Sequence, residues 1–389
     1  MSKGYPLALS LDQMLSKARE LTGIAIIDDD VVEPLRVMLA SLNGESELHQ
    51  KGAVAMQKKM LRLLCNRLRL MRDFRAHPEI NEQQLLPPVV ICGMGRTGST
   101  KLQKLLAASG DFNWLPYWQS HMPCLITGDR NESPQPRISD AEEYCRWFDE
   151  ESPDTKYGHA IEAHEPDEES YMLELSLHTA CFLGWSPIAG YLDWLAVQDA
   201  TLQFWYLRDL LKYLQWQGLH TQDKPWVLKC PLYFSLEPEL LRVFPDARLV
   251  MTHRHPKETM PSSCRLMETF HQPWTDAAIS YSDYFEGSAA QINKHLEVRA
   301  SRPDIRFLDI DFHRVMHEVP EVMRRVYANA GMELSDASLA RIVDWHQRNP
   351  QNKKGVHRYS LADFNFTEAM IEHSFADYIA LVDRVAAQG

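Results

Sequence analysis

Residues 93–100, Gly-Met-Gly-Arg-Thr-Gly-Ser-Thr, follow the apolar run 88–92 and combine the residue types that hold an anion. Gly93 and Gly98 have the spacing of a phosphate-cradling P-loop, and Thr100 takes the place of its usual Ser or Thr. The lysine expected before that residue is absent. Ser99 stands there, and a cation lies inside the loop as Arg96. Backbone N–H groups at the start of a helix, with hydroxyls and a cation beside them, suit an anionic group. They do not suit a nucleoside triphosphate with magnesium in the standard arrangement. Two more apolar runs end in cations. Residues 226–230 carry Lys229, and residues 248–253 lead into Arg254-His255-Pro256, with Ser262 and Ser263 shortly after.

These residues need elements to bring them together. The runs at 88–92, 226–230, 248–253 and 306–310 read as strands, and helices are expected near 99–109, 236–243, 257–270 and 319–330. Strands alternating with helices predict an α/β fold: a P-loop NTPase-like three-layer arrangement with a central parallel sheet flanked by helices. In an open parallel sheet, ligands bind beyond the carboxyl ends of the strands, where Arg96, Lys229 and Arg254 all fall. Residues 10–76 read as helical, so the chain divides into a helical N-terminal region, 1–86, packed on a P-loop-like domain, 87–389. In that region Arg62, Arg67, Arg69, Arg72 and Arg75 surround an apolar stripe and read as a solvated face. Residues 127–157, rich in Pro, Asp, Glu and Ser, read as an excursion over the active-site face. Residues 169–216 read as helical and unusually aromatic.

Composition narrows the function. A net charge of −12 argues against nucleic acid as a partner, so an anionic ligand requires locally gathered cations. The seven cysteines are scattered, with no Cys-x-x-Cys pair and no zinc spacing, which implies a reduced, cytoplasmic compartment and no metal. No apolar run reaches the length of a membrane span or of a signal-peptide core.

In order, Gly-x-x-Arg-Thr-Gly-Ser-Thr (93–100), Leu-Lys-Cys-Pro (228–231), Thr-His-Arg-His-Pro (252–256) with Ser262 eight residues after the arginine, and a C-terminal Gly355-Val356-His357-Arg358-Tyr359-Ser360 resemble a sulfotransferase dependent on 3′-phosphoadenosine 5′-phosphosulfate, PAPS. The resemblance is closest to the bacterial branch with an arginine in its phosphosulfate loop. It implies that Gly95, Arg96, Thr97, Gly98, Ser99 and Thr100 hold the 5′-phosphosulfate, with Arg96 as the catalytic cation. It implies that Lys229 lies near the transferred sulfuryl group, and that Arg254 and Ser262 grip the 3′-phosphate. Lys354, Gly355, His357 and Arg358 resemble the basic loop that closes over it. The pattern His-x-x-Glu-Ala-x-x-Pro-x-Glu picks out His159, Glu162 and Glu168, with His159 and Glu162 as candidates for the base that takes the acceptor's proton. The same residues also read as an acidic loop opening a helix.

Two positions depart from the family. It commonly has Trp-Glu where this chain has Trp118-Gln119, and often a histidine where this chain has Leu232-Tyr233. The acceptor expected is a small molecule, apolar or aromatic, facing residues such as Trp185 or Tyr191. A non-catalytic PAPS-binding protein and a P-loop kinase are the alternatives; a kinase predicts a P-loop lysine and a strand-end aspartate for magnesium.

Overall fold

A computed structural model describes residues 4–350 and 359–388. At its centre are four parallel strands, β1 (Val89–Cys92), β2 (Val227–Lys229), β3 (Arg248–His253) and β4 (Phe307–Asp311), in the order β2-β1-β3-β4. Every side chain of β1 and β2 is buried, as strands covered on both faces must be. Alternation divides the sheet between two cores. Val89, Ile91, Val227 and Val250 face a layer formed by helices α4 (Ser99–Ser109), Val319–Ala330 and Asp336–Arg348. Val90, Leu228 and Met251 face the opposite layer, which includes helix Pro256–His271. That second core runs without a break into the N-terminal helices α1 (Leu11–Thr22), α2 (Val32–Gly44) and α3 (Gln50–Ala76) through Met14, Leu35, Met60 and Leu64.

Strand order and register position the three cations. β1 is central, so the loop after it lies between the ends of β2 and β3. Ile91 is level with Lys229, and Cys92 with Met251. β3 therefore continues past the end of β1 before the chain reaches Arg254, which brings Arg254 level with the glycine loop.

Three expectations are corrected. The helical reading of 10–76 resolves into three helices; α1 stops where Gly23 takes φ +69°. Most of the 127–157 excursion is helix Gln135–Glu151, whose buried Ala141, Cys145 and Phe148 recur at helical spacing among charged neighbours. Only its continuation, at Asp154, Tyr157 and Gly158, reaches the cavity at the sheet edge. Residues 169–216 are not one helical block. Short turns at Ser170–Leu173, Glu174–Ser176 and Ala180–Gly184 precede helices Ala189–Leu195 and Leu202–Trp216. Leu177 in the left-handed region (φ +54°) and a buried Glu174 tied to Lys59 fold that segment inward instead.

Candidate active site

The loop between β1 and α4 is shaped by two glycines. Gly93 takes φ +126°, and a Cβ there would lie 2.8 Å from the Thr252 carbonyl oxygen of β3. Gly98 takes φ +90°, and its Cβ would come within 3.0 Å of Met316 Cε. Both positions require glycine. Thr97 is fully buried. Its Oγ1 donates to the Met94 carbonyl at 2.7 Å and pairs with Thr252 Oγ1 at 2.7 Å, so its side chain closes the loop and only its backbone is left for a ligand. Gly98, Ser99 and Thr100 line a cavity of about 440 Å³ at the N-terminus of α4, where helix dipole and unpaired N–H groups favour an anion.

Arg96 and Arg254 line the same cavity. Arg96 holds a left-handed backbone, φ +69°, costly for a side chain that size and concentrated in proteins at functional sites. Its guanidinium donates from Nε to Ser262 Oγ (2.9 Å) and from Nη1 to the Gly158 carbonyl (2.6 Å). Arg254 donates from Nη1 to the Arg96 carbonyl at 3.3 Å and pairs through Nε and Nη2 with Glu258 at 3.1 and 2.7 Å, its plane stacked 4.1 Å from the Phe312 ring. Ser262 also bonds the Tyr359 hydroxyl at 2.6 Å. Lys354, Gly355, His357 and Arg358 lie outside the described residues.

A second cavity of about 450 Å³ adjoins the first. Its walls are mostly apolar, including Trp185, Leu192, Phe234, Met267 and Phe270, with His159 and Glu168 among the few polar groups. The two cavities share a wall three times over in sequence: Gly95 and Arg96, Gly158 and His159, and Ser262 and Ser263 each place one residue on either side, while Leu266 lines both.

At this seam the chain segment 163–167 pairs with 115–118. Trp118 N–H donates to the Ala163 carbonyl (3.0 Å), Tyr117 N–H to that of Glu165 (3.1 Å), and Asp167 N–H to that of Leu115 (2.9 Å). This pairing presents Glu168 to the end of β2, where Lys229 Nζ donates to Glu168 Oε1. His159 Nε2 lies 2.9 Å from Asp167 Oδ1, and its Nδ1 lies 3.9 Å from Glu168 Oε1. Burial pushes the Asp167 carboxyl up, but the His159 ring and the Lys229 ammonium outweigh it and hold the group below its usual range. An ionised Asp167 can only accept, so it takes a hydrogen bond from Nε2–H, the arrangement in which a neutral ring carries its lone pair on Nδ1. Behind this group, Glu169 is fully buried and accepts from Tyr233 Oη (2.5 Å) and from the Lys229 N–H (2.9 Å). Burial nevertheless pushes its carboxyl up to about 7.

The structure thus brings Gly95, Arg96, Gly98, Ser99, Thr100, Arg254, Ser262, His159 and Lys229 to one edge of the sheet. It does not bring Glu162 there: that residue is exposed and lines neither cavity. Glu168 is the carboxylate at the seam. Gln119 is buried away from both cavities with Oε1 accepting from His220 Nε2 at 2.6 Å. Trp185 faces the apolar cavity, whereas Tyr191 is fully buried with its hydroxyl on the Leu177 and Thr179 carbonyls. Tyr359, Phe312 and Asp167 belong to the candidate site without having been given a role from the sequence. Tyr359 and Asp167 carried a signal, the one in the C-terminal motif and the other in the acidic motif; Phe312 carried none. Among the described residues there is no group of three metal-ligating side chains and no helix long and apolar enough to cross a membrane.

Comparison with known proteins agrees with this geometry. No curated protein matches the chain. Among solved structures, sulfotransferase STF1 from Mycobacterium tuberculosis H37Rv is 25% identical, with 96% of this chain and 100% of that one covered and a TM-score of 0.79. Sulfotransferase STF9 from Mycobacterium avium shares the fold at 24% identity, with 95% and 96% coverage and a TM-score of 0.81. The sequence model of the Sulfotransferase family matches residues 87–336, well over half the chain and containing every strand of the sheet, so the protein belongs to the Sulfotransferase family.

Proposed function

We propose that this sulfotransferase moves a sulfuryl group from PAPS to a hydroxyl or amine on a largely apolar small molecule. The observation that carries the reading is the shared wall: a cationic cavity at a helix N-terminus opens against an apolar one, with His159 and the Lys229–Glu168 pair beside the seam. The donor supplies an activated sulfuryl group; the chain binds it, orients it and handles charge and protons. The loop N–H groups and the Ser99 and Thr100 hydroxyls hold the 5′-phosphate. Arg254 and Ser262 hold the 3′-phosphate. Arg96 and Lys229 stabilise the negative charge that grows on the departing phosphate oxygen. His159 accepts the acceptor's proton at Nδ1, while Asp167 fixes the ring and stabilises the imidazolium that forms. The product pair is adenosine 3′,5′-bisphosphate and a sulfate ester or sulfamate.

The alternatives have less support. Gln119 lies away from the seam, so its amide removes no carboxylate from it. The strand-end aspartates are committed elsewhere, Asp309 to His253 and Arg299, and Asp311 as a helix cap. The test is product analysis by mass spectrometry, with PAPS and a panel of phenols, alcohols and amines. His159→Gln is expected to lower kcat by ~10²–10⁴ while leaving the Kd of adenosine 3′,5′-bisphosphate unchanged. Binding of the bisphosphate without turnover of any acceptor would refute the catalytic reading.

A further inference from the structure

Of the five arginines on α3, three are committed. Arg67 donates to Asp30 and to the Leu175 and Ser176 carbonyls, Arg72 to Asp73 and to the Leu125 and Ile126 carbonyls, and Arg75 to Asp28. Arg62 and Arg69 are different. Among the described residues neither forms an ion pair or a side-chain hydrogen bond; each has its Nε sealed from solvent, and the Arg62 guanidinium lies 5.3 Å over the Tyr144 ring, which leaves the Nη groups for a ligand. Seven residues apart, they lie on one helix face, and both line a third cavity of about 810 Å³ between α3 and helix Gln135–Glu151. Lys58, one turn before Arg62, adds a further cation.

The other walls are apolar. Leu61, Met122 and Trp147 line the interior, and Leu21 and Val54, 53% and 56% exposed, form the lip. Two large aliphatic side chains left in water at the mouth of a cavity whose wall carries two arginines without an ion pair are what an amphipathic anion would cover. Lys59 in the wall is bound to Glu174 at 2.5 Å and Lys51 to Glu151 at 2.9 Å. The opposing charge is Asp140 and Glu143 at the exposed rim: Asp140 accepts from a His121 that burial keeps neutral, at 2.8 Å, and against the upward push of burial His121, Arg62 and Arg69 together hold its carboxyl below the usual range without a direct ion pair to either arginine. This cavity is distinct from the pair at the sheet edge, separated from the apolar one by Lys59, Glu174 and Trp185, with Lys59 Nζ 4.3 Å from the Trp185 ring.

We infer that the cavity between α3 and helix Gln135–Glu151 binds a single-chain amphipathic anion, its head on Arg62 and Arg69 and its alkyl body along Leu61, Met122 and Trp147. The head can be a carboxylate, sulfate or phosphate, since all accept from guanidinium. The experiment is isothermal titration of the full chain with decanoate, decyl sulfate and decyl phosphate, and with decanol and inorganic sulfate as controls. At least one alkyl anion is expected to bind about tenfold or more tighter than decanol and inorganic sulfate. The double variant Arg62→Gln/Arg69→Gln is expected to weaken it by about tenfold or more while leaving adenosine 3′,5′-bisphosphate affinity intact, which also reports that the variant folds. Val54→Asp, at an exposed lip position, is expected to weaken it as well. Decanol binding as tightly as every alkyl anion would overturn the inference. So would full affinity in either variant, which would place the alkyl chain in the acceptor cavity. Circular dichroism of both variants reports folding without reference to the bisphosphate, and no step of the test needs donor or turnover, so its result is separate from the proposed reaction.

Discussion

Replacing Arg254 by Ala isolates the proposed 3′-phosphate contact. A guanidinium carries five N–H donors. In Arg254 the Nε–H and one Nη2–H go to Glu258 at 3.1 and 2.7 Å, and one Nη1–H goes to the Arg96 carbonyl at 3.3 Å. That leaves one N–H on each Nη for a phosphate to accept from. The stacked Phe312 ring and Glu258 fix the plane before any ligand arrives, so little rotamer entropy remains to be lost. Each charge-assisted bond contributes ~1.5–3 kcal/mol. Glu258, at 38% exposure, can rehydrate once its partner is gone, which limits the added penalty. The expected loss is then ~3–4 kcal/mol, a rise of about 10²–10³ in Kd. Arg254→Lys keeps a point charge but not the fork, and should lose roughly tenfold.

Titration calorimetry with adenosine 3′,5′-bisphosphate reads this directly, but Arg254 also supports the loop through the Arg96 carbonyl. Adenosine 5′-monophosphate separates the two effects, because it lacks the 3′-phosphate. If the contact is as described, the bisphosphate loses affinity in Arg254→Ala and the monophosphate does not. A drop of under about threefold for the bisphosphate, or an equal drop for both nucleotides, would refute the assignment.

Two further outcomes follow from buried carboxylates. Glu169 has its pKa raised to about 7 from an ordinary 4.5, so it favours the protonated form and its contribution to stability is lost as pH rises through that window. Glu169→Gln, whose amide can still accept from the Lys229 N–H and donate to Tyr233, should remove the loss: urea unfolding at pH 5 and 7.5 should show wild type falling by ~2–3 kcal/mol relative to the variant, and parallel stabilities would refute it. Lys59→Met leaves Glu174 buried without its cation, and urea unfolding should show a cost of ~3–5 kcal/mol, largely recovered in Lys59→Met/Glu174→Leu; a cost under ~1 kcal/mol for the single variant would refute the pairing.

The sheet was legible in the sequence because its strands are short apolar runs closed by turn residues, and a parallel sheet buried on both faces leaves little else for them to be. Helix Gln135–Glu151 was hidden because its buried positions are few and one of them is a cysteine amid Asp, Glu and Arg. The aromatic stretch after Glu169 misled for the opposite reason. Apolar residues crowd it so densely that no period stands out, and its path is set by contacts far away in sequence, such as Glu174 with Lys59 and Tyr191 with the Leu177 and Thr179 carbonyls. Within the site, composition could not separate Glu162 from Glu168. What separates them is the pairing of 163–167 with 115–118, a long-range backbone contact that turns one carboxylate to solvent and the other onto Lys229. Thr97 shows the same limit. The loop motif names it, but only the approach of Thr252 reveals that its hydroxyl is used to close the loop.

The charge pattern bears on how a protein of net charge −12 would hold the polyanion proposed as its donor. Two of the three strand-end cations carry a carboxylate of their own, Lys229 with Glu168 and Arg254 with Glu258. Such pairs hold a long side chain in place and spare the apo site an uncompensated charge, but they weaken the field a ligand meets. Arg96 is the exception: among the described residues its guanidinium meets neutral oxygens, those of Ser262, Gly158 and Tyr359. Burial works against its charge, and no anion among the described residues balances it. A cation desolvated in this way gains more than any neighbour from a negative charge that appears beside it, because the low local dielectric has not been screened by a counterion. In the proposed reaction Arg254 therefore suits ground-state placement, and Arg96, more than the carboxylate-paired Lys229, suits charge that develops during transfer. On that basis Arg96→Lys, which keeps the charge but loses the fork to Ser262 and Gly158, should depress kcat more than bisphosphate affinity.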